Sequence, residues 1–187
     1  MKFRFDPTRT TQAVGVIMAS NQGIMIRSRL MLLLYLADRE LLIATGRTLT
    51  GDSAVATNHG PLLKQTRKLL KGFGTPSGDG EKFLESHGGE VVLKADPGRR
   101  QLTPREVEKL GELLDRFRGV STCGIAALTR GLPEYTKNFV PDGVESISWS
   151  HVLQATVADP TARSFEASHD EQAKIDSIFE ALTSASG

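Results

Sequence analysis

The chain has 187 residues, of which 39% are hydrophobic and 24% are charged. This composition is that of an ordinary globular domain, so it excludes a wholly disordered chain, a collagen-like rod and a membrane bundle. The length suffices for one domain with a real hydrophobic core, and we expect residues 1–187 to form a single domain. The net charge of +1 by itself indicates no polyanionic partner.

The near-zero net charge conceals an uneven distribution of charge along the chain. Residues 1–72 hold 11 basic and 4 acidic side chains, a sum of +7, whereas the remainder holds 12 basic and 18 acidic side chains, a sum of −6. Such a split can steer a charged partner toward one part of a protein.

Cysteine content and apolar runs predict a cytoplasmic protein. Cys123 is the single cysteine, so no intrachain disulfide can form, as is usual in a reducing compartment. The longest apolar run, over residues 30–37, is far shorter than a membrane span, and the first residues do not resemble a signal peptide. We therefore expect no membrane partner.

Two helices are predicted in the first 45 residues. The first begins near Thr8 and ends before Gly23, where polar residues and glycine interrupt the apolar spacing. The second, over residues 27–45, is apolar around almost its whole circumference, and such a helix must be covered on several sides. We expect it to be the buried central helix.

A hairpin region and a basic helix are predicted next. Gly46 ends the central helix, and residues 48–56 are expected to form a small hairpin or an extended segment. Residues 58–61 predict a turn that leads into a helix over 61–71, with Pro61 at its first position. The basic side chains of this helix are Lys64, Arg67, Lys68 and Lys71.

The middle of the chain combines a loop, a strand and two helices. Residues 72–80 predict a glycine-rich loop, and residues 91–94 a strand paired with 82–85. Thr103 and Glu106 form a capping box that starts a helix ending at Gly119. A shorter helix opens at Ser121 and ends at Gly131 and Pro133, and its Cys123 is expected to be a small buried residue.

The remaining sequence predicts helices at 148–157 and, after Ser168 and Glu171 as caps, near the C-terminus. The apolar stripe of this last helix comprises Ile175, Ile178, Phe179 and Leu182. The fold class is therefore mainly α, a compact multi-helix domain around the helix at 27–45 with one or two small β-hairpins. Residues 159–187 would form the C-terminal helix and a frayed tail.

None of the motifs that carry common chemistries is complete. The glycine-rich segment lacks the preceding strand and the following Gly-Lys-Ser/Thr of a phosphate-binding loop. The four histidines and the one cysteine lack metal-ligand spacing, and no Gly-x-Ser-x-Gly is present. The sequence therefore predicts no catalytic residues, no cofactor and no metal, and the protein is not expected to be an enzyme.

Two features remain as candidate binding surfaces. The basic side chains of the N-terminal half could attract nucleic acid or an acidic protein, although a merely solvated helix face is the simpler interpretation. The helices at 104–118 and 121–130 resemble a helix-turn-helix, but the second offers almost none of the side-chain donors that read bases. Two packed core helices are favoured there, and a DNA- or RNA-binding regulator is kept as the alternative function.

An ordered set of short motifs carries a family resemblance. The chain reads LLYLAD at 33–38, TGR at 45–47, LTGD at 49–52, HGPL at 59–62, LTPRE at 102–106 and LT at 128–129. In order and spacing this set resembles the Panacea domain family, whose best-known members are SocA-like antitoxins, over roughly residues 10–158. The chain departs from the family pattern at Leu32, Arg130 and Tyr135, where lysine, histidine and tryptophan are usual.

The resemblance implies the antitoxin of a two-gene toxin–antitoxin module, often encoded in phages, prophages or bacterial genomes. Such an antitoxin neutralises its cognate toxin by direct binding, and SocA-like members also act as adaptors that hand the toxin to an ATP-dependent protease. The residues expected to contact the partner lie in or directly beside the motifs, in the basic helix and at the tryptophan position: Tyr35, Asp38, Arg39, His59, Lys64, Arg67, Lys68 and Tyr135. For His59, a rigid turn is the favoured role and partner contact the alternative.

Overall fold

The computed structural model describes residues 1–72 and 79–156. Helices make up 54% of it, and two small antiparallel sheets accompany them, which confirms the mainly α fold class. The helices are α1 (Pro7–Ala19), α2 (Arg27–Thr45), α3 (Lys64–Leu70), α4 (Asp79–Phe83), α5 (Pro104–Phe117), α6 (Thr122–Arg130), α7 (Pro133–Asn138) and α8 (Trp149–Thr156). The strands are β1 (Ile24–Ile26), β2 (Ala54–Thr57), β3 (Gly60–Leu63), β4 (Leu84–His87), β5 (Glu90–Leu93) and β6 (Glu145–Ile147).

Helix α2 contributes the largest set of buried side chains of any described helix. Eleven of its residues are buried, including every position from Leu30 to Asp38. Gly46 ends the helix in the left-handed conformation, with φ of 74°, as its place after the last apolar residue predicted. Helices α1, α3, α5, α6 and α8 and strands β1 and β3 contact α2.

The two sheets each combine strands that are distant in the sequence. One has the strand order β1-β5-β4, and the other β3-β2-β6, with antiparallel pairing throughout. The predicted pairing of residues 91–94 with 82–85 is confirmed in direction and shifted in register, because Leu84 faces Leu93 and His87 faces Glu90. The edge strand β1 and the strand β6 were not predicted, since three residues give no usable alternation.

The region between Gly46 and α3 differs from the prediction. The hairpin is built from β2 and β3, joined at Asn58 and His59, and not from residues 48–56. Pro61 lies in β3 opposite Ala56, so the predicted helix over 61–71 begins only at Lys64. A proline without an N–H is compatible with an edge strand as well as with a helix start, and the pattern alone did not distinguish them.

The capping box of α5 is present as predicted. Thr103 Oγ1 accepts from the Glu106 N–H at 3.3 Å, and Glu106 Oε2 accepts from the Thr103 N–H at 2.8 Å. The other carboxylate oxygen of Glu106 binds Arg9 of α1, which ties the two helices together. Pro133, expected to follow a helix, instead starts α7 at a position where proline is well tolerated.

The position of Cys123 differs from the prediction, and two predicted segments cannot be compared with the structure. Cys123 is exposed on α6, so the expectation of a small buried residue was wrong. The predicted C-terminal helix and tail, 159–187, and most of the glycine-rich loop lie outside the described residues. Within the described part of the chain, no helix is long and apolar enough to cross a membrane.

Candidate partner-binding site

The motif residues of α2 and the loop after it form a buried polar junction. Asp38, with no exposed surface, accepts from the Thr50 N–H at 2.7 Å and from the Thr50 hydroxyl at 2.5 Å. Burial, and to a lesser degree the charge of Asp52, raises the pKa of Asp38 to about 7, although the bonds from Thr50 oppose the shift. This carboxyl therefore fixes the course of the chain after α2.

Asp52 connects the same loop to α3 and α8. Its Oδ2 accepts from the Thr66 N–H at 2.7 Å, which supplies the N-terminal cap that Leu63 cannot give to α3. Its backbone carbonyl accepts from the Trp149 indole N–H at 2.9 Å. A single aspartate thus determines where the basic helix begins.

A second buried cluster joins α2 to α7. Glu134 Oε1 accepts from Arg39 Nε at 2.7 Å and from the Tyr35 hydroxyl at 3.1 Å. Desolvation and the Glu134 carboxylate raise the pKa of Tyr35, so its hydroxyl remains a donor. The Tyr35 ring stacks on Trp149 with 5.9 Å between centroids. The cluster holds α2, α7 and α8 in one arrangement.

The turn between β2 and β3 is fixed on two sides. The Tyr135 hydroxyl donates to the Thr57 carbonyl at 2.5 Å. Asn58 and Asp142 exchange two hydrogen bonds, of 2.7 and 3.1 Å. His59 therefore lies in a rigid turn, and its side chain is exposed.

Beside this turn lies an open groove with a volume of about 560 Å³, which we call the basic groove. Its walls are the first turns of α2, the β2–β3 hairpin, α3 and the start of α6, and Gly89 also lines it. Met31 and Leu32 of α2 contribute its apolar floor, and Ile26, 49% exposed, lies at its mouth. Cys123 and Ala126 face it from α6.

The charges around the basic groove have one sign. Arg27, Arg67 and Lys71 line it, and no acidic residue does so among the described residues. The first turn of α2 contains no acidic side chain and has no side-chain cap, so the positive end of the helix dipole adds to this potential. The groove is thus suited to an apolar segment that carries negative charge.

The eight residues predicted to contact a partner fall into three groups. Tyr35, Asp38, Arg39 and Tyr135 belong to the buried clusters described above, where they bind other parts of the chain. His59 and Arg67 line the basic groove. Lys64 and Lys68 are exposed on α3 but do not line it.

Sequence reasoning missed the apolar part of the groove. Met31 and Leu32 were predicted to be buried on a helix that is apolar all round, and both are buried, but the apolar pattern does not show that they also line a groove. The departure from the family pattern at Leu32 was the one available signal. Among the described residues, no group of three His, Cys, Asp or Glu side chains is placed to hold a metal ion.

Comparison with known proteins supplies the family. A family model described as "Antitoxin SocA-like, Panacea domain" matches residues 30–134, more than half of the chain. No curated protein and no solved structure matches the chain. The matched segment runs from α2 to the first turn of α7 and includes Asp38, Thr50 and Asp52, which hold the loop, and Glu134, which holds α7. The chain therefore belongs to the family of SocA-like antitoxins with a Panacea domain.

Proposed function

We propose that this protein is the antitoxin of a toxin–antitoxin module and neutralises its cognate toxin by direct binding in the cytoplasm. The observation that carries the proposal is the family match over residues 30–134. It is supported by a fold in which the motif residues hold the groove walls in place. Neutralisation would then be a binding event, and the protein would not be an enzyme.

The basic groove is the surface we assign to the toxin. Its walls come from elements that the buried clusters hold rigidly, so little ordering entropy opposes binding. Its floor is apolar and its rim is positive, a combination that gives both buried area and electrostatic steering. The expected toxin segment is therefore an apolar stretch flanked by carboxylates.

Co-expression with the product of the neighbouring gene tests this proposal. Wild-type protein is expected to restore growth and to co-purify with the toxic product. Arg67→Glu reverses a groove charge and should weaken neutralisation, whereas Arg105→Glu makes the same change at an exposed position of α5 outside the groove. Absence of both neutralisation and binding by the wild type would refute the antitoxin role.

Delivery of the toxin to an ATP-dependent protease is a second part of the proposal. An adaptor shortens the lifetime of the toxin, whereas occlusion alone leaves the toxin intact within a stable complex. The half-life of the toxin in cells with and without this protein separates the two. An unchanged half-life together with full neutralisation would leave occlusion as the mechanism.

One observation favours the alternative, a nucleic-acid-binding regulator. Lys64, Arg67 and Lys68 are all exposed on the short helix α3. Phosphate contacts by these side chains would give salt-sensitive binding of duplex DNA, and Lys64→Ala with Lys68→Ala would weaken it. Retained affinity in the double variant, or no affinity in the wild type, would exclude this role for α3.

A further inference from the structure

We infer that two copies of this chain form a two-fold dimer in which the basic groove of each copy receives the outer face of the β1-β5-β4 sheet of the other. This sheet face lies beside the groove, is partly apolar and carries the opposite charge. Exposed apolar surface rimmed by polar residues is typical of a protein interaction site. A second copy fits because one chain presents both complementary surfaces side by side.

The strand register determines which side chains share the outer face of this sheet. Residues directly opposite each other in antiparallel strands point to the same face, and successive residues along a strand point to opposite faces. Met25, Leu84 and Val91 are buried on the inner face. The outer face, which we call the acidic face, consists of two rows of paired residues: Ile24, Val92 and Glu85, and Ile26, Glu90 and His87.

The acidic face combines exposed apolar side chains with negative charge. Ile24 is 47% exposed and Ile26 is 49% exposed. Two of the six residues are glutamates and none is lysine or arginine, and Glu85 lies 3.1 Å from His87. The basic groove has the reverse character, because three cations and no acidic residue line it in the described part of the chain. The two surfaces are therefore complementary in charge and alike in having an apolar centre.

Ile26 belongs to both surfaces. It lies on the acidic face opposite Glu90, and it also lines the mouth of the basic groove. Gly89, which precedes Glu90, lines the groove as well, so the two surfaces adjoin. A two-fold interface brings together the same patch of both subunits, so that patch must be complementary to itself. Two adjoining surfaces of opposite charge meet this requirement when the two-fold axis passes beside Ile26.

This arrangement determines the contacts between the copies. Ile24 and Ile26 of one copy would pack on the partly exposed apolar lining of the other groove, which includes Leu62 and Ala126. Among the groove cations, Arg27 already donates to its own Ser86 hydroxyl and Gly88 carbonyl, each at 2.6 Å.

The other two groove cations, Arg67 and Lys71, are exposed and would meet the glutamates of the acidic face. Glu90 is the nearer glutamate to the axis, since it is the register partner of Ile26. Every contact occurs twice, once on each side of the axis.

The consequence for toxin binding rests on the proposed antitoxin role, whereas the dimer itself does not. A toxin that binds the basic groove would have to displace the second copy. The apparent affinity for the toxin would then fall as the fraction of dimer rises with protein concentration. The free antitoxin would thus keep its groove covered until toxin is present.

Sedimentation of the purified chain without toxin tests the inference. The wild type should have twice the mass of one chain and dissociate on dilution, whereas a monomer at about 100 μM would overturn the proposal. Arg67→Glu and Glu90→Arg each place like charges at both contacts, so each should raise the dissociation constant of the dimer at least about tenfold. Arg105→Glu and Glu108→Arg make the same changes at exposed positions of α5 and should leave it unchanged.

An equimolar mixture of Arg67→Glu and Glu90→Arg proteins identifies the paired surfaces. In the mixed dimer, one contact joins the two introduced charges and the other joins the unchanged Arg67 and Glu90, so both contacts are attractive. The mixture should dimerise about tenfold more tightly than either variant alone, which also shows that both variants are folded. No recovery in the mixture, or dimers of both variants as tight as that of the wild type, would overturn the proposal. Since no toxin is used, these results are independent of the antitoxin role.

Discussion

Asp38 of α2 accepts two hydrogen bonds from a single residue, Thr50, through the backbone N–H at 2.7 Å and the hydroxyl at 2.5 Å. The Thr50 hydroxyl in turn accepts from the Asp52 N–H at 3.1 Å. Asp52 then caps α3 through Thr66. The start of the basic helix, and with it one wall of the groove, is therefore set by a chain of hydrogen bonds that begins inside α2.

The pH dependence of stability should show the buried Asp38 directly. Its pKa is about 7 in the folded chain and near 3.8 when exposed. Between these values the folded protein holds a proton that the unfolded chain has released, so the free energy of unfolding falls as pH rises. The loss over the full window is about 4 kcal/mol, and only well above pH 7, where the folded state has also released the proton, does Asp38 contribute no further slope.

Urea unfolding of the wild type and of Asp38→Asn at pH 5 and pH 8 measures this effect. The asparagine cannot ionise, so its stability lacks the drop that the wild type shows between the two pH values. If the wild type instead gains stability relative to the variant at pH 8, the folded state prefers the charged carboxylate and the expected shift has the wrong sign.

Loss of the Glu134 carboxylate should be costly because it leaves a buried guanidinium without its partner. The side chain of Arg39 is only 14% exposed and that of Glu134 is fully buried. Glu134→Ala is expected to lower the free energy of unfolding by about 3–5 kcal/mol. Glu134→Gln keeps an acceptor for Arg39 and Tyr35 and should cost less.

Chemical denaturation measures both Glu134 variants, with Glu108→Ala on the exposed face of α5 as the control. The control should lie within about 0.5 kcal/mol of the wild type. If Glu134→Ala lowers the free energy of unfolding as little as the control does, the cluster does not hold α2 to α7.

Gly51 should tolerate no side chain. Its φ is +70°, and a Cβ built there would lie 1.9 Å from the Arg4 carbonyl oxygen. The N-terminal segment cannot move away freely, because the Asp6 N–H donates to the Thr50 carbonyl at 3.0 Å. Gly51→Ala is therefore expected to cost well over the 1–2 kcal/mol that the left-handed backbone alone imposes.

Gly88→Ala provides the comparison that isolates the clash. Gly88 also has a positive φ, +55°, but nothing lies within 4 Å of a Cβ placed on it. In a thermal or urea melt, Gly88→Ala should lower the free energy of unfolding only by the amount that the left-handed backbone of a non-glycine residue costs. Equal destabilisation at the two positions would show that contact with Arg4 does not matter.

The helix ends were predictable where a side chain carries the signal locally. The capping box at Thr103 and the left-handed Gly46 are local signals, and both appear where the sequence placed them. The start of α3 was misplaced because its cap is Asp52, which lies fourteen residues before Thr66. A cap supplied from a distant loop leaves no pattern in the helix itself.

The groove was harder to predict than the core. Tyr35 and Arg39 were predicted to contact a partner because they lie in or directly beside a motif, and in the structure both form hydrogen bonds to Glu134 within the fold. Arg67 was found because charge is visible in the sequence. Leu32 was not, since the burial of an apolar residue on an apolar helix does not show that the residue also lines a groove.

Binding to the toxin should depend strongly on salt. Arg27, Arg67 and Lys71 present three positive charges to the same volume. Screening at 0.5 M salt should therefore lower the association rate by about tenfold or more relative to 50 mM, with a smaller effect on dissociation. Stopped-flow or surface-binding kinetics with wild type and Arg67→Glu measures this, and a salt-independent association rate would argue for a different surface.

Direct titration of the purified protein with the product of its neighbouring gene tests the central claim. The antitoxin account predicts a stoichiometric complex that forms with the wild type and Arg105→Glu, is weakened by Arg67→Glu, and relieves toxicity in cells in the same order. If the neighbouring product is toxic and forms no complex with the wild-type protein, the antitoxin account is contradicted.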